Sequence, residues 1–193
     1  MHKGRLEAFS DGVIAIIITI LVLELRAPHS ADWAALMPLA PVFVSFVLSF
    51  VYLGIYWNNH HHLLQAASHV NGAVLWSNLF LLFWLALIPF VTTWMGENEF
   101  APLPVAVYGV DLLMAALAYY VLERTLIGAQ GAESKVKMAV GAEIKGWVSV
   151  GCYVLGILSA IFWTQWVGLA FYALVALMWL VPDRRIERVL KAG

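Results

Sequence analysis

The chain has 193 residues, of which 63% are hydrophobic and 12% are charged, and its formal net charge is −1 at pH 7. A water-soluble domain carries about 25% charged residues because its surface faces water, so this composition excludes an ordinary soluble fold. The net charge says little about partners, and we interpret the basic clusters as topology signals and contacts for anionic lipid, not for nucleic acid. A single cysteine excludes an intrachain disulfide.

Long apolar stretches alternate with short polar ones along the whole chain. A spanning helix needs about 20 mostly apolar residues, because each residue rises about 1.5 Å across a hydrocarbon core about 30 Å thick. We predict an all-α, polytopic membrane protein whose single six-helix domain covers residues 1–193. The predicted spans are about 6–25, 36–57, 72–95, 102–122, 146–163 and 166–181.

The last two spans are short and are separated only by Thr164 and Gln165. We interpret them as a tight hairpin, since one fused helix would be nearly twice as long as a bilayer is thick. With six spans, all eleven Lys and Arg residues except Arg26 lie on one face of the membrane. The positive-inside rule assigns that face to the cytoplasm, so both termini are predicted to be cytoplasmic.

Span one opens with ionisable residues, which are costly inside a membrane and therefore informative. Arg5, Glu7 and Asp11 lie within its first turns. The helix dipole favours carboxylates at this end, and we interpret Glu7 as part of an interfacial helix start. Asp11 lies deeper and needs a partner, which predicts a buried polar network.

The end of span two reads Trp57-Asn58-Asn59-His60-His61-His62 and reaches the face where span one begins. Adjacent residues on a helix point about 100° apart, so consecutive histidines cannot converge on one ion, and we predict no metal site. We predict instead a hydrogen-bonded layer that ties spans one, two and three together. Its members are Arg5, Ser10, Asp11, His60 and Asn78.

Asp111 lies in the middle of span four, on an otherwise apolar face. We interpret it as a structural residue that is protonated or paired with Tyr119 or Asn98, and a proton relay is the alternative. The sequence has no phosphate loop, nucleophile elbow, zinc-type His/Cys spacing or Thr-Val-Gly-Tyr-Gly potassium filter. We therefore predict no enzyme activity and no cofactor.

The start of span one, Arg5-x-x-x-Phe9-Ser10-Asp11, resembles the signature of the endosomal/lysosomal potassium channel family, transmembrane protein 175, and in particular its short prokaryotic members. The resemblance continues through Gly12-Val13-Ile14-Ala15-Ile16 to Thr19 and Leu23-Glu24-Leu25. A second match is Trp57-x-x-His60-His61-x-Leu63, and a fainter third is Asn78 followed by Pro89. Spans four to six match only in topology.

This resemblance implies a potassium-permeable channel that conducts passively and lacks the usual filter loop. It implies a homotetramer in the inner membrane of a prokaryotic cell, in which the first helix of each subunit lines a central pore. Its further partners would be membrane lipid and potassium ions. Carried over by position, the constriction falls at Ile16, a polar ring at Thr19, and further apolar layers at Ile20 and Leu23. The motif residues Phe9 and His61 join the structural network.

Helical geometry places Ile16, Thr19, Ile20 and Leu23 within a stripe about 100° wide and Asp11 roughly opposite, towards the span-two histidines. Periodicity alone does not choose this face, because a second stripe is equally apolar. That stripe contains Ile14, Ile18, Leu21 and Leu25. The alternative functions are a proton-coupled transporter or proton leak that uses intramembrane Asp and His, a membrane-embedded metalloenzyme, and a scaffold protein.

Overall fold

In the computed structural model of the protein, residues 3–130 and 144–180 are described, and within these ranges the chain is helical without strands. The prediction of an all-α chain with six helices is confirmed. The helices are α1 (Lys3–Leu23), α2 (Ala40–Ala66), α3 (Gly72–Glu97), α4 (Pro102–Gln130), α5 (Ile144–Phe162) and α6 (Gln165–Leu180). Two short 3-10 helices, Trp33–Ala35 and Met37–Leu39, lie ahead of α2.

Five helical segments in the described part of the chain are long and apolar enough to cross a membrane. They are α1, the segment Trp33–Ala66 that contains α2, and α3, α4 and α5. The sixth helix, α6, is apolar but has only 16 described residues. Its predicted end at residue 181 and the basic residues between 131 and 143 and beyond 180 lie outside the described ranges. The chain is a multi-pass membrane protein.

Local sequence signals explain where these helices begin and end. The Asn71 side chain accepts a hydrogen bond from the backbone N–H of Val74 at 3.0 Å and caps the start of α3. After α3, Glu99 and Phe100 have positive φ angles of 50° and 61°, a conformation that no helix can continue. Pro102 then begins α4, where its missing N–H costs nothing.

The packing of the six helices leaves α1 at one side of the bundle. α3 packs against α1, α2 and α4, and α4 also packs against α5 and α6. α1 packs against α2 and α3. Since α2 and α3 lie on one side of α1, its other side is not covered by the described helices.

The contact between α5 and α6 is tight because glycines face each other there. A Cβ atom added to Gly168 would lie 2.7 Å from the backbone oxygen of Gly156. Only Trp163 and Thr164 separate the two helices, so the interpretation of this region as a hairpin is confirmed. Small residues let membrane helices approach closely, and such packing replaces the hydrophobic effect as their main attraction.

Candidate conduction surface on the first helix

α1 has one buried face and one exposed face. The buried face consists of Leu6, Ser10, Ile14, Ile17 and Leu21. On the opposite face, the exposed fraction is 60% for Ile16, 42% for Ile20 and 74% for Leu23, and Thr19 is exposed as well. We name this set the α1 stripe, and its members are Ile16, Thr19, Ile20 and Leu23.

The structure distinguishes the two apolar stripes that periodicity leaves equivalent. Ile14 and Leu21 are each only 1% exposed and belong to the hydrophobic core, and Ile18 packs against that core. The second stripe is therefore used for packing within the subunit. All four residues that are predicted to line a pore lie on the exposed face of α1, and no described helix of the same chain covers this face.

Thr19 is the polar member of the α1 stripe. Its hydroxyl donates a hydrogen bond to the backbone oxygen of Ala15 at 2.9 Å. Because the proton is used inside the helix, the lone pairs of the hydroxyl oxygen remain on the exposed side. Thr19 can therefore offer an oxygen ligand to a cation without exposing a competing donor.

Arg5 and Phe9 lie on the exposed side of α1, at its N-terminal end. Arg5 forms no hydrogen bond or ion pair with the residues that the structure describes, so the structure does not bring it into the predicted layer with Ser10 and Asn78. The reason is rotational: at about 100° per residue, Arg5 and Phe9 share the face of Ile16, whereas Ser10 points roughly 120° away.

Three buried polar side chains join α1, α2 and α3. His60 Nε2 lies 2.7 Å from Asn78 Oδ1, and Asn78 Nδ2 donates to Ser10 Oγ at 2.9 Å. Ser10 Oγ in turn donates to the backbone oxygen of Leu6 at 2.9 Å. All three side chains are 0% exposed. This Ser10–Asn78–His60 triad is the part of the predicted layer that the structure brings together, and it fixes the rotation of α1 about its axis.

A second, half-exposed row lies beside the triad. Trp57 Nε1 donates to Asp11 Oδ1 at 3.1 Å, and His61 Nδ1 lies 3.1 Å from Glu7 Oε1. Asp11 thus pairs with an indole, not with a histidine as the sequence suggests. It lies about 100° around the helix from Ser10, so it faces the flank of α2 and not the buried triad.

The sequence does contain a signal for this second row. Glu7 and Asp11 are four residues apart on α1, and Trp57 and His61 are four residues apart on α2. Side chains at this spacing lie one above the other on a helix face. Two antiparallel helices can therefore form both pairs in register, which an inspection of each helix alone misses.

Lys3 fastens the start of α1 to the end of α2. Its ammonium group donates to the backbone oxygens of Leu64 at 3.3 Å and Gln65 at 2.8 Å. These carbonyls belong to the last turn of α2, where the helix dipole attracts a cation, and the Leu64 oxygen also accepts a hydrogen bond from the backbone N–H of Ala67. From the sequence, Lys3 is visible only as one of the basic residues that set the topology.

Asp111 is placed differently from either pairing suggested by the sequence. It is 3% exposed, and neither carboxyl oxygen has a hydrogen-bond partner among the described residues. Tyr119 donates instead to the backbone oxygen of Asn59 at 3.2 Å, and Asn98 donates to that of Trp94 at 2.8 Å. Asn98 lies in the α3–α4 connection, and the Tyr119 hydroxyl reaches across to α2, so both expected pairings are wrong.

Among the described residues, no three His, Cys, Asp or Glu side chains are grouped so that they could hold a metal ion.

Comparison with known proteins agrees with the resemblance in α1 and α2. The model of the family described as endosomal/lysosomal potassium channel TMEM175 matches residues 5–89, which include the α1 stripe and the triad. A potassium channel of Chryseobacterium sp. (strain P1-3) is 54% identical over 191 residues, which cover 99% of both chains. A potassium channel of Streptomyces collinus is 35% identical over 129 residues, or 63% of each chain.

The fold is also similar to a solved structure. The crystal structure of a lysosomal potassium-selective channel TMEM175 homolog from Chamaesiphon minutus superposes with a TM-score of 0.81 at 26% identity. The match covers 93% of this chain and 96% of that chain, so it includes the helices that lie beyond the family model. The chain therefore belongs to the endosomal/lysosomal potassium channel TMEM175 family.

Proposed function

We propose that the protein is the subunit of a passive, potassium-permeable cation channel whose conduction path runs along the α1 stripe. Two findings support potassium as the permeant ion: a relative that matches over 99% of both chains is named a potassium channel, and the solved homolog of similar fold is described as potassium-selective. The family is one of ion channels, not of enzymes. The observation that carries the proposal is that α1 has an exposed, mostly apolar stripe on one face, while its opposite face is packed inside the subunit.

A single α1 helix cannot enclose a conduction path, so several subunits must each contribute a copy of the α1 stripe. Closed cyclic symmetry brings the same surface of each subunit to a common axis. We propose a homotetramer in the inner membrane of a prokaryotic cell, with both termini in the cytoplasm. Arg5 and Phe9 lie on the same exposed side as the stripe and would face neighbouring subunits or the cytoplasmic mouth.

The chemistry of the stripe supports a hydrophobic constriction. A ring of Ile16 side chains narrows the path, and a dry apolar constriction opposes ion passage by dewetting. Thr19, about one turn further along α1, supplies hydroxyl oxygens that replace part of the water shell of an ion. Potassium loses its water shell more readily than sodium, so this arrangement favours potassium without a ring of backbone carbonyls.

The buried contacts of α1 have a supporting role in this proposal. The triad and the pairs Glu7–His61 and Asp11–Trp57 hold α1 against α2 and α3 at its cytoplasmic half. A helix held in this way presents one defined face, which a narrow pore requires. These residues therefore act on conduction through the position of α1 and not through contact with the ion.

Potassium flux into proteoliposomes tests the proposal. Ile16→Asn removes the apolar ring at the constriction and is expected to raise potassium flux under a potassium gradient. Val22→Asn is the matched control, because Val22 is 46% exposed on the same helix but points roughly 120° away from Ile16. Unchanged flux in Ile16→Asn, or an equal rise in Val22→Asn, would contradict the assignment. A requirement for a proton gradient would favour a proton-coupled transporter instead.

A further inference from the structure

The end of α4 lies on the same membrane face as the start of α1. Gln130, the last residue of α4, accepts a hydrogen bond from the backbone N–H of Ser68 at 2.8 Å and donates one to the backbone oxygen of His69 at 2.8 Å. Ser68 and His69 follow α2, and Lys3 of α1 contacts the last turn of α2. All three helix ends therefore meet on one face, which we propose to be cytoplasmic.

Two cations on this face each lie over an aromatic ring. Arg124 Cζ, near the end of α4, lies 4.9 Å from the ring centroid of Tyr120. Lys145 Nζ, in the first turn of α5, lies 5.8 Å from the ring centroid of Trp179 on α6. The face of an aromatic ring attracts a cation and gives it a defined position. The two positive charges are therefore held on either side of the start of α5.

A third ring connects Arg124 to α5. Trp147, in the first turn of α5, is 59% exposed, and its ring centroid lies 5.9 Å from that of Tyr120. We name Arg124, Tyr120 and Trp147 the α4–α5 patch. It has a cation at one end and an exposed indole at the other. Tryptophan and tyrosine rings prefer the headgroup level of a membrane, which is where lipid phosphates lie.

Hydrogen bonds fix the ring beneath Lys145. Trp179 Nε1 donates to Ser149 Oγ at 2.9 Å, and Ser149 Oγ donates to the backbone oxygen of Lys145 at 2.8 Å. The indole of α6 is thereby tied to the first turns of α5. The ammonium group lies over a ring that cannot turn freely, so its charge stays next to the α4–α5 patch.

An apolar depression continues from the patch along α5. Gly151 is exposed one turn after Trp147, and a Cβ atom added to it would meet no atom of the described residues within 4 Å. Leu155, one turn further, is 51% exposed. Residues four apart lie one above the other on a helix, so the missing side chain leaves a shallow gap between an indole and a leucine. A lipid acyl chain is apolar and fits such a surface.

The α4–α5 surface lies on the side of the subunit away from α1. α5 packs against α4 and α6, whereas α1 packs against α2 and α3. In a ring of subunits that meet along α1, the α4–α5 surface faces the surrounding lipid. The choice of lipid over a second subunit as its occupant therefore rests on the proposed assembly.

We infer that the α4–α5 patch is a binding site for one anionic phospholipid of the cytoplasmic leaflet. The guanidinium of Arg124 donates to the phosphate oxygens, a geometry that suits its planar fork. Its five N–H donors allow this in addition to contacts within the chain. The acyl chain follows α5 past Trp147 and Gly151. Lys145 adds a second positive charge, which favours a lipid of net negative charge over a zwitterionic one.

Native mass spectrometry of the full chain in a neutral detergent, titrated with phosphatidylglycerol, tests this inference. The wild type is expected to bind the lipid at a saturable site. Arg124→Gln and Lys145→Gln are each expected to weaken binding about fivefold, the contribution of one basic residue near an anionic headgroup. The Arg124 side chain is 42% exposed, so its replacement leaves the core intact. Arg26→Gln is the control, because it removes one positive charge beyond the other end of α1.

Two further ligands separate a lipid site from simpler explanations. Phosphatidylcholine with the same acyl chains is expected to bind at least about fivefold more weakly, because it has no net charge. Soluble glycerol phosphate is expected not to displace phosphatidylglycerol, because it has no acyl chain.

Four results would overturn the inference. They are equal binding of the two lipids, unchanged affinity in both Arg124→Gln and Lys145→Gln, an equal loss in Arg26→Gln, and displacement by glycerol phosphate, which would indicate a site for free phosphate. The assay measures binding without ion flux. A failure of the lipid site is therefore distinguishable from a failure of the proposed conduction along α1.

Discussion

Asn78 is the central residue of the buried triad, and its replacement by alanine has a predictable cost. Its side chain is 0% exposed and forms two hydrogen bonds, with His60 at 2.7 Å and Ser10 at 2.9 Å. Side-chain hydrogen bonds between membrane helices contribute on average about 0.6 kcal/mol each, so the loss of two costs about 1 kcal/mol.

The larger part of the loss in free energy of unfolding comes from His60, which Asn78→Ala leaves without a hydrogen-bond partner. His60 Nδ1 already has no partner among the described residues, so the variant leaves both ring nitrogens of a fully buried histidine unpaired. A buried polar group without a partner costs about 1–3 kcal/mol. Ser10 still donates to the backbone oxygen of Leu6 and adds little. We therefore expect Asn78→Ala to lower the free energy of unfolding by about 2–4 kcal/mol.

Chemical denaturation of the purified protein in detergent, followed by tryptophan fluorescence, measures this loss. Asn98→Ala is the control, because Asn98 is exposed and donates only to the backbone oxygen of Trp94 within its own helix end. The control is expected to change the free energy of unfolding by less than about 0.5 kcal/mol. If Asn78→Ala were no more destabilising than Asn98→Ala, the triad would not hold α1 in place.

Two further predictions concern packing and assembly. Gly168→Ala forces a methyl group against the backbone of Gly156 and is expected to destabilise the protein by about 1–3 kcal/mol in the same assay. Gly151→Ala is the control, because Gly151 lies at an open position on α5 and its replacement is not expected to destabilise the protein. Equal effects of the two substitutions would contradict the close α5–α6 contact. Asp11→Ala removes the hydrogen bond from Trp57 that steadies α1 against α2. It is expected to lower the yield of the proposed tetramer on a sizing column more than it alters potassium selectivity, and the reverse outcome would place Asp11 in the pore.

The arrangement of helices was predictable because hydropathy and charge act locally along the chain. Each apolar run long enough to span a bilayer forms a helix. Bilayer thickness and the distribution of basic residues predict a break at Thr164 and Gln165, and the structure has it one residue earlier, at Trp163 and Thr164. The face of α1 that packs was not predictable by the same reasoning. Ile14 and Ile16 are chemically the same, and only the positions of α2 and α3 decide which is buried.

The polar contacts show what motif recognition can and cannot provide. A motif lists residues in linear order, and Arg5 and Ser10 belong to one motif although helix rotation points them to different sides. The pairs Asp11–Trp57 and Glu7–His61 depend on the register between two helices, which no single-helix pattern contains.

Cysteine modification measures directly whether Ile16 faces the proposed conduction path. In a Cys152→Ala background, which removes the one native thiol, Ile16→Cys and Val22→Cys are reconstituted and treated with a small charged thiol reagent while potassium flux is followed. The reagent is expected to block flux in Ile16→Cys and to leave flux in Val22→Cys unchanged. Flux that is insensitive to the reagent in Ile16→Cys, or equally sensitive in both variants, would contradict a pore lined by the α1 stripe.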